Sequence, residues 1–173
     1  MTIEIELVLV DEVPEKEIAL FKREFLKNKE IIHGSNGLTS AMTIRDWKRK
    51  VIALFNKPNK NQVKTKQWFI VNKDHHLVGC IDCRYRLLPY HELEGGHIGY
   101  SIRPSDRGKG YANQGLKLAL TYAKNEVGLS HCLLTCDETN TVSRHIIRQN
   151  KGELKQVITL NKRKIEHYEI FLH

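Results

Sequence analysis

The run Gly96-His97-Ile98-Gly99-Tyr100-Ser101-Ile102-Arg103-Pro104-Ser105-Asp106-Arg107-Gly108-Lys109-Gly110-Tyr111-Ala112 decides how this chain is read. A strand over residues 97–102 stops at Pro104, whose ring nitrogen has no proton to give a sheet ladder. A short polar loop follows, and two glycines lead into a segment with helical periodicity. A helix start presents unpaired N–H groups and the positive end of the helix dipole, so it is a ready seat for an anion. Gly108 and Gly110 remove side chains that would hold a phosphate away from that backbone. Arg107 and Lys109 add positive charge at the same place, and arginine can bind phosphate oxygens two at a time. Two better-known phosphate loops are excluded. No Gly-Lys-Ser or Gly-Lys-Thr occurs, so GxxxxGK[ST] is absent, and Asn113 stands where the third glycine of GxGxxG belongs.

Downstream, apolar residues at Ala112, Leu116, Ala119, Leu120, Ala123 and Val127 predict a helix from Gly108 to about Val127, stopped by Gly128. Residues 131–136 read as a strand, 140–150 as a short helix, and 153–160 with 164–172 as a hairpin over the Asn161 turn. Upstream, residues 67–72 and 77–87 form a hairpin through Lys73-Asp74-His75-His76. A loop carrying Pro89 and Gly95-Gly96 then returns the chain to the run quoted above. Residues 1–10 alternate acidic and apolar and read as a strand. Pro14 opens a helix with Ile18, Leu20, Phe21, Phe25 and Leu26 as its stripe, and Thr43 caps a second that runs through Trp47, Val51, Leu54 and Phe55. The order is β-α-α-β-β-β-α-β-α-β-β, without repeats. Helices separate only some of the strands, so the sheet is expected to be mixed. The fold class is α/β or α+β, in one domain over residues 1–173.

With 173 residues, 40% of them hydrophobic and 28% charged, the chain suits one domain with a sizeable core. No apolar run approaches the ~20 residues of a membrane helix. The acidic first strand lacks the basic start of a signal peptide, so a cytoplasmic location with no membrane partner is expected. The net charge of +8 favours anionic partners. A nucleic-acid reader would interleave aromatic rings with Lys and Arg on one strand face. Only Arg84-Tyr85-Arg86 approaches that, with Tyr85 directed away from its neighbours, so a multiply phosphorylated cofactor answers the charge better. Cys80-Ile81-Asp82-Cys83 has the spacing of a zinc knuckle, which needs both sulfurs on one turn. Three positions apart on a strand, they face opposite sides. The four cysteines therefore read as buried free thiols, with no metal.

The stretch also resembles a known family, the GNAT N-acetyltransferases. Arg107-Gly108-Lys109-Gly110-Tyr111-Ala112 fits every fixed position of the family's [Gln/Arg]-x-x-Gly-x-[Gly/Ala] signature, after a strand ending in Arg-Pro and before a long helix. Asn140-Thr141-Val142-Ser143, with Gly152 beyond it, is similar to the family's Asn-x-x-[Ala/Ser] element, and residues 97–153 look like its predicted-acetyltransferase branch. The resemblance implies a mixed, mostly antiparallel central sheet flanked by helices, with a splayed pair of strands holding the cofactor. It implies acetyl-CoA as cosubstrate and direct attack of a primary amine, from a small molecule or a peptide, on the thioester. Carried over residue by residue, Tyr100 and Ile102 lie along the pantetheine arm, Arg107 to Ala112 hold the pyrophosphate, and Asn140 and Ser143 complete the cofactor site.

Where the family often has a tyrosine acid, seven residues after Asn140, this chain has Ile147, which is expected to be a packing residue. Glu94 and His97, at the entry to the central strand, are the candidate bases; histidine has the suited pKa. Arg84 and Arg86, two apart on the strand 77–87, share a face and would grip a carboxylate on the acceptor. His33 lies in the small-residue loop 33–37, where the family shapes its acceptor pocket. The terminal hairpin and free strand edges would suit a homodimer. The same fold without turnover would be an acyl-CoA sensor, the alternative that the missing tyrosine keeps in view.

Overall fold

In the computed structural model, which describes residues 3–173, β1 (Ile5–Leu9), β2 (Thr65–Asn72), β3 (Leu77–Arg84) and β4 (Ile98–Ile102) pair in that order as an antiparallel sheet. β5 (His131–Asp137), β7 (Arg163–Phe171) and β6 (Glu153–Leu160) form a second antiparallel sheet with β7 in the middle. Helices α1 (Glu15–Lys27) and α2 (Ile44–Asn56) cover one side, and α4 (Tyr111–Tyr122) and α5 (Thr141–Gln149) the other. This is a mixed α/β architecture of antiparallel sheets flanked by helices.

β2 and β3 are buried on both faces, so they read as nearly unbroken apolar runs. Their alternation divides the core in two. Trp68, Ile70, Val78 and Ile81 pack with Leu116, Ala119 and Ile147 under α4 and α5. Phe69, Leu77 and Cys80 pack with Ile18, Phe21, Phe25 and Trp47 under α1 and α2. Cys83 belongs to the first cluster and Cys80 to the second, so the CxxC sulfurs do point to opposite faces. Among the described residues no three His, Cys, Asp or Glu side chains gather as a metal would require, and no helix is long and apolar enough to cross a membrane.

The local signals hold where chemistry within a few residues decides. Thr43 caps α2 by accepting from the Asp46 N–H at 3.1 Å, and Asn140 caps α5 by accepting from the Ser143 N–H at 3.1 Å. The first strand is seen from Ile5, and Met1 and Thr2 lie outside the described residues. Two expectations need correction. β3 ends at Arg84 instead of Leu87, and the segment read as a loop contains a one-turn helix, α3 (Pro89–Leu93). The helix has a local cause: the fixed φ of Pro89 suits the first position of a helix.

On α5, Ile147 is 1% exposed while Val142, apolar and on the same helix, is 69% exposed. The inward face of α5 is therefore Ile146 and Ile147. Replacing Ile147 with alanine should lower stability by about 2–5 kcal/mol, the range for a large aliphatic side chain truncated in a packed core. Chemical denaturation measures this, and an equally stable variant would show that α5 does not seal the core.

Candidate functional site

The site begins with two strands that meet and then part. β4 bonds to β3 through Arg84 N–H to His97 O at 2.7 Å and Arg103 N–H to Val78 O at 2.7 Å. Odd-numbered positions of β4 thus face β3, and the N–H and C=O groups of Ile98, Tyr100 and Ile102 face away. On β5, Leu172 N–H to Ser130 O and Glu138 N–H to Lys164 O, both 2.9 Å, set even positions toward β7. Leu133, Thr135 and Asp137 consequently present their backbone toward β4. The two edges join at one end, where His97 N–H donates to Leu133 O at 2.8 Å and Leu133 N–H to His97 Nδ1 at 2.9 Å. Among the described residues no ladder joins β4 to β5 beyond that point. The result is a fork whose prongs carry unpaired amides, suited to an extended chain with amides of its own.

One prong leads to the glycine loop. Gly108 and Gly110 have φ of +77° and +83°, and Gly110 is the residue from which α4 starts. Gln114 N–H to Gly110 O at 3.3 Å is the first helical bond, so the amides ahead of it have no intrahelical acceptor. A Cβ on Gly108 would meet nothing within 4 Å, whereas one on Gly110 would lie 2.4 Å from Ile3 Cδ1. Ala112 is buried, and Tyr111 packs half-buried against the core. The two cations of the loop already have partners. Arg107 holds Glu30 at 3.2 and 2.5 Å and also donates to Ile102 O, while Lys109 holds Asp106 at 3.0 Å. Arg107 keeps the Glu30 carboxyl below its ordinary range, and Asp106 raises the Lys109 ammonium. The Arg107–Glu30 pair is half exposed and therefore weak, whereas the Asp106 side chain is 8% exposed and is also bonded by His76 at 3.1 Å.

Across the open end of the fork, α5 meets β4. Ser143 Oγ lies 3.0 Å from Tyr100 Oη, and Asn140 fixes that turn of α5 through its cap. Burial pushes the Tyr100 phenol up to about 12. Tyr100 and Ile102 thus lie on β4 between α5, with Asn140 and Ser143, and the loop from Arg107 to Ala112.

On the opposite face the loop after α1 rests on β4. A Cβ on Gly34 would fall 2.2 Å from Gly99 O, so the contact is backbone against backbone. Ser101 Oγ donates to the His33 carbonyl at 2.9 Å, leaving the His33 ring exposed. Beneath that loop lies an interaction that sequence reasoning missed. Asp82, fully buried, accepts from Gly99 N–H at 2.9 Å and Asn36 Nδ2 at 3.1 Å, with Arg84 at 3.3 Å. Burial pushes its carboxyl up, and Arg84 pulls it back down. Gln67 continues the network to Asn36 and to the Gly34 carbonyl. A lone carboxylate inside the apolar run from Leu77 to Cys83 was the available signal, because buried charge is rare unless paired.

The expected arginine fork is not assembled. Arg84 is turned to Asp82 and to the carbonyls of Gly95 and Gly96, the latter at 2.9 Å, whereas Arg86 lies past the end of β3 and donates to Gln62 O. The candidate bases are also engaged. Glu94 is held by Arg163 at 2.8 and 3.0 Å. The Nδ1 lone pair of His97 receives the Leu133 N–H, which places its proton on Nε2, and burial lowers its pKa to about 4. His97 thus serves as the joint of the fork, with no free lone pair at Nδ1 for proton abstraction.

Residues 8–152 match the family model described as an acetyltransferase (GNAT) domain. No curated protein matches the chain by sequence. Among solved structures, RimL, a ribosomal L7/L12 alpha-N-protein acetyltransferase in complex with coenzyme A, superposes with a TM-score of 0.70 at 17% identity, over 99% of this chain and 96% of that one. A mutant of the spermidine N-acetyltransferase SpeG from Vibrio cholerae gives 0.68 at 11% identity, over 97% and 94%. The dodecameric SpeG of the same organism gives 0.66 at 12%, over 97% and 94%. At these identities the likeness is one of fold.

The junction residue gives a pH test. His97 is neutral when folded, with a pKa of about 4 against an ordinary 6.5, so its contribution is complete above pH 6.5 and lost as pH falls toward 4. Wild type should lose roughly 2–3 kcal/mol more across that interval than His97→Gln, on the scale of 1.36 kcal/mol per unit. Denaturant titrations at pH 7 and pH 4.5 measure it, and parallel losses in the two proteins would remove His97 from the joint.

Proposed function

The chain belongs to the GNAT acetyltransferase family, and on that premise we propose that it is an acetyl-CoA-dependent N-acetyltransferase acting on a primary amine. The observation that carries this reading is the fork of unpaired strand edges leading directly to the glycine amides at the start of α4. Pantetheine amides would pair with the N–H and C=O groups of Tyr100 and with the N–H of Ile102, whose carbonyl already accepts from Arg107. The pyrophosphate would rest on the amides of residues 108–112, with Arg107 and Lys109 exchanging Glu30 and Asp106 for phosphate oxygens. Asn140 and Ser143 close the groove from α5. RimL, similar in fold, is described with coenzyme A bound, which supports a cosubstrate of that kind.

The amine nitrogen attacks the thioester carbon, the C–N bond forms, and the C–S bond breaks with its electron pair on sulfur. An unpaired N–H of the strand edge would hold the oxyanion between these events. The attacking amine must first lose a proton, and neither Glu94 nor His97 is free to take it. Solvent is then the acceptor, through water held on backbone carbonyls. The rate with a simple amine should rise with pH up to that amine's own pKa, without an inflection near 6.5. A plateau beginning near pH 7 with an amine of pKa about 10 would point to a side-chain base instead.

The acceptor is proposed to be an amino acid or peptide amine. SpeG is named for spermidine and RimL for a ribosomal protein. Asp82, Glu94 and Asp137, the carboxylates around this fork, are each paired with an arginine, which leaves them ill placed to hold a polycation. The exposed His33 ring borders the same side. β6 has a free edge with half-exposed Leu154 and Val157, which supports pairing of two copies, and SpeG is described as a dodecamer. The four free thiols suit a reducing cytoplasm.

Gly108→Asp is the direct test of the phosphate site, since the position is open and aspartate tolerates positive φ. Calorimetry should show coenzyme A affinity reduced at least about tenfold by the added charge, with stability lowered by no more than about 1 kcal/mol. Unchanged affinity would refute the placement. Thiol release from acetyl-CoA with amino acids, peptides and spermidine as acceptors then separates an enzyme from a sensor. Tight binding without turnover for any amine would favour the sensor.

A further inference from the structure

The cations of this chain fall into two sets. Around the fork they are engaged: Arg84, Arg103, Arg107, Lys109, Arg144 and Arg163 each hold a carboxylate. At the start of β2, the end of the sheet away from the glycine loop, they are not. Between Asp46 and Asp74 the chain carries eight lysines and arginines and no aspartate or glutamate. Among the described residues no carboxylate forms an ion pair with Lys57, Lys60, Lys64, Lys66 or Arg86.

Several of these cations are held in place. Lys64 Nζ stands 4.7 Å from the ring centre of Phe55 and 4.8 Å from that of Tyr85, and Lys66 Nζ stands 4.1 Å from Phe55. Tyr85 is anchored in turn: its hydroxyl lies 2.6 Å from that of Tyr122, and its N–H donates to Lys64 O at 3.0 Å. Arg86 donates to Gln62 O at 3.2 Å, and Gln62 N–H closes the turn that carries Lys60 by donating to Asn59 O at 3.0 Å. Burial lowers the Lys66 ammonium, Asp11 lifts it and Lys64 lowers it again. Cations fixed in this way lose less side-chain freedom when an anion arrives.

We propose that this basic face docks an acidic segment of a polypeptide that carries the acceptor amine. The inference rests on the reading of the chain as an N-acetyltransferase of peptide amines. The face adjoins the loop after α1. Lys66 precedes Gln67, whose Nε2 donates to Gly34 O at 2.8 Å and whose Oε1 accepts from Asn36 at 2.7 Å. From α2, Lys50 donates to Asn36 O at 3.1 Å. A chain held on the cations would therefore pass the loop that carries the exposed His33 ring.

The chemistry of the face favours a carboxylate chain over other anions. A surface for single-stranded nucleic acid stacks bases on bare aromatic faces. Here Phe55 and Tyr85 are half-buried, and ammonium groups already stand over their rings. A surface for a lipid bilayer adds exposed apolar side chains to its cations. Between Lys57 and Lys66 the one branched aliphatic side chain is Val63, and it is 4% exposed. Lysine ammoniums are separate point charges, set here on a turn and a strand, and they match separate carboxylates along an extended chain.

Fluorescence anisotropy of a labelled glutamate-rich peptide tests the docking without coenzyme A. Wild type should bind it, with affinity falling steeply between about 50 and 200 mM salt. Lys60→Glu/Lys64→Glu should weaken binding at least about tenfold, and Lys60→Gln/Lys64→Gln by a smaller factor. Lys60→Arg/Lys64→Arg, which keeps both charges, should stay near wild type. Both side chains are exposed, and if charge reversal lowers the melting temperature, the glutamine pair decides. Equal affinity in wild type and the folded variant would overturn the inference. Tighter binding of a single-stranded oligoribonucleotide of equal charge would also overturn it, as would tighter binding of vesicles with one part phosphatidylserine to four of phosphatidylcholine. Transfer is then compared on two peptides with the same N-terminus, one continued by glutamates and one by lysines. The acidic peptide should show a kcat/KM at least about tenfold higher, and Lys60→Glu/Lys64→Glu should abolish that advantage. If the acidic peptide docks and no amine is acetylated, the proposed activity fails and the docking face stands. If both peptides are acetylated equally, the activity stands and the docking role falls.

Discussion

The rest of the molecule depends on a pairing that stops. β4 and β5 are joined through His97 and Leu133, and beyond that joint no ladder connects the edges that face each other among the described residues. Two such edges in one domain would ordinarily close into a ladder, since open edges invite pairing. Here each strand is committed on its other side, β4 to β3 and β5 to β7, and the two sheets diverge from the joint. The cost is a joint that must hold with few bonds. A histidine supplies one of them from its side chain, and burial keeps that ring neutral so that its lone pair is available to the Leu133 amide. The glycines just ahead allow the approach: a Cβ on Gly96 would sit 2.3 Å from Leu133 O.

A second support holds β4 from the side of the loop after α1. Asp82, Asn36, Gln67 and Arg84 tie the loop after α1, strands β2 to β4 and the Gly95–Gly96 turn into one buried network. Such a network rigidifies only when every member is satisfied, and no buried side-chain nitrogen or oxygen among the described residues lacks a partner. Arg84 is therefore more valuable as the counter-charge of Asp82 than as a ligand for substrate. Removing it would leave a fully buried carboxylate uncompensated, which is among the larger penalties a protein can incur. The loop after α1 and strand β4 are thus held by the same carboxylate.

Charge at the glycine loop follows a different rule. Arg107 pairs with Glu30 at the surface and Lys109 reaches the buried Asp106, so the loop is nearly neutral. An exposed pair such as Arg107–Glu30 is worth little, whereas Asp106 is held by His76 as well. The amides at the start of α4 hold their geometry because Gly108 and Gly110 set the backbone.

What the sequence by itself determined is everything that neighbouring residues settle among themselves. The glycine loop, the cap at Thr43, the β2–β3 hairpin and the burial of Ile147 were all legible, because capping, φ preference and periodicity act within a few residues. The tertiary structure decided which groups would spend their hydrogen bonds on one another. Arg84 and Arg86 look like a pair, but the strand ends between them and a buried aspartate claims the first. His97 looks like a base until Leu133, far along the chain, occupies its lone pair, and Tyr100 and Ser143 meet only because β4 and α5 face each other across the fork. A side chain's chemistry is written in its formula, but its availability depends on long-range neighbours that local pattern does not encode.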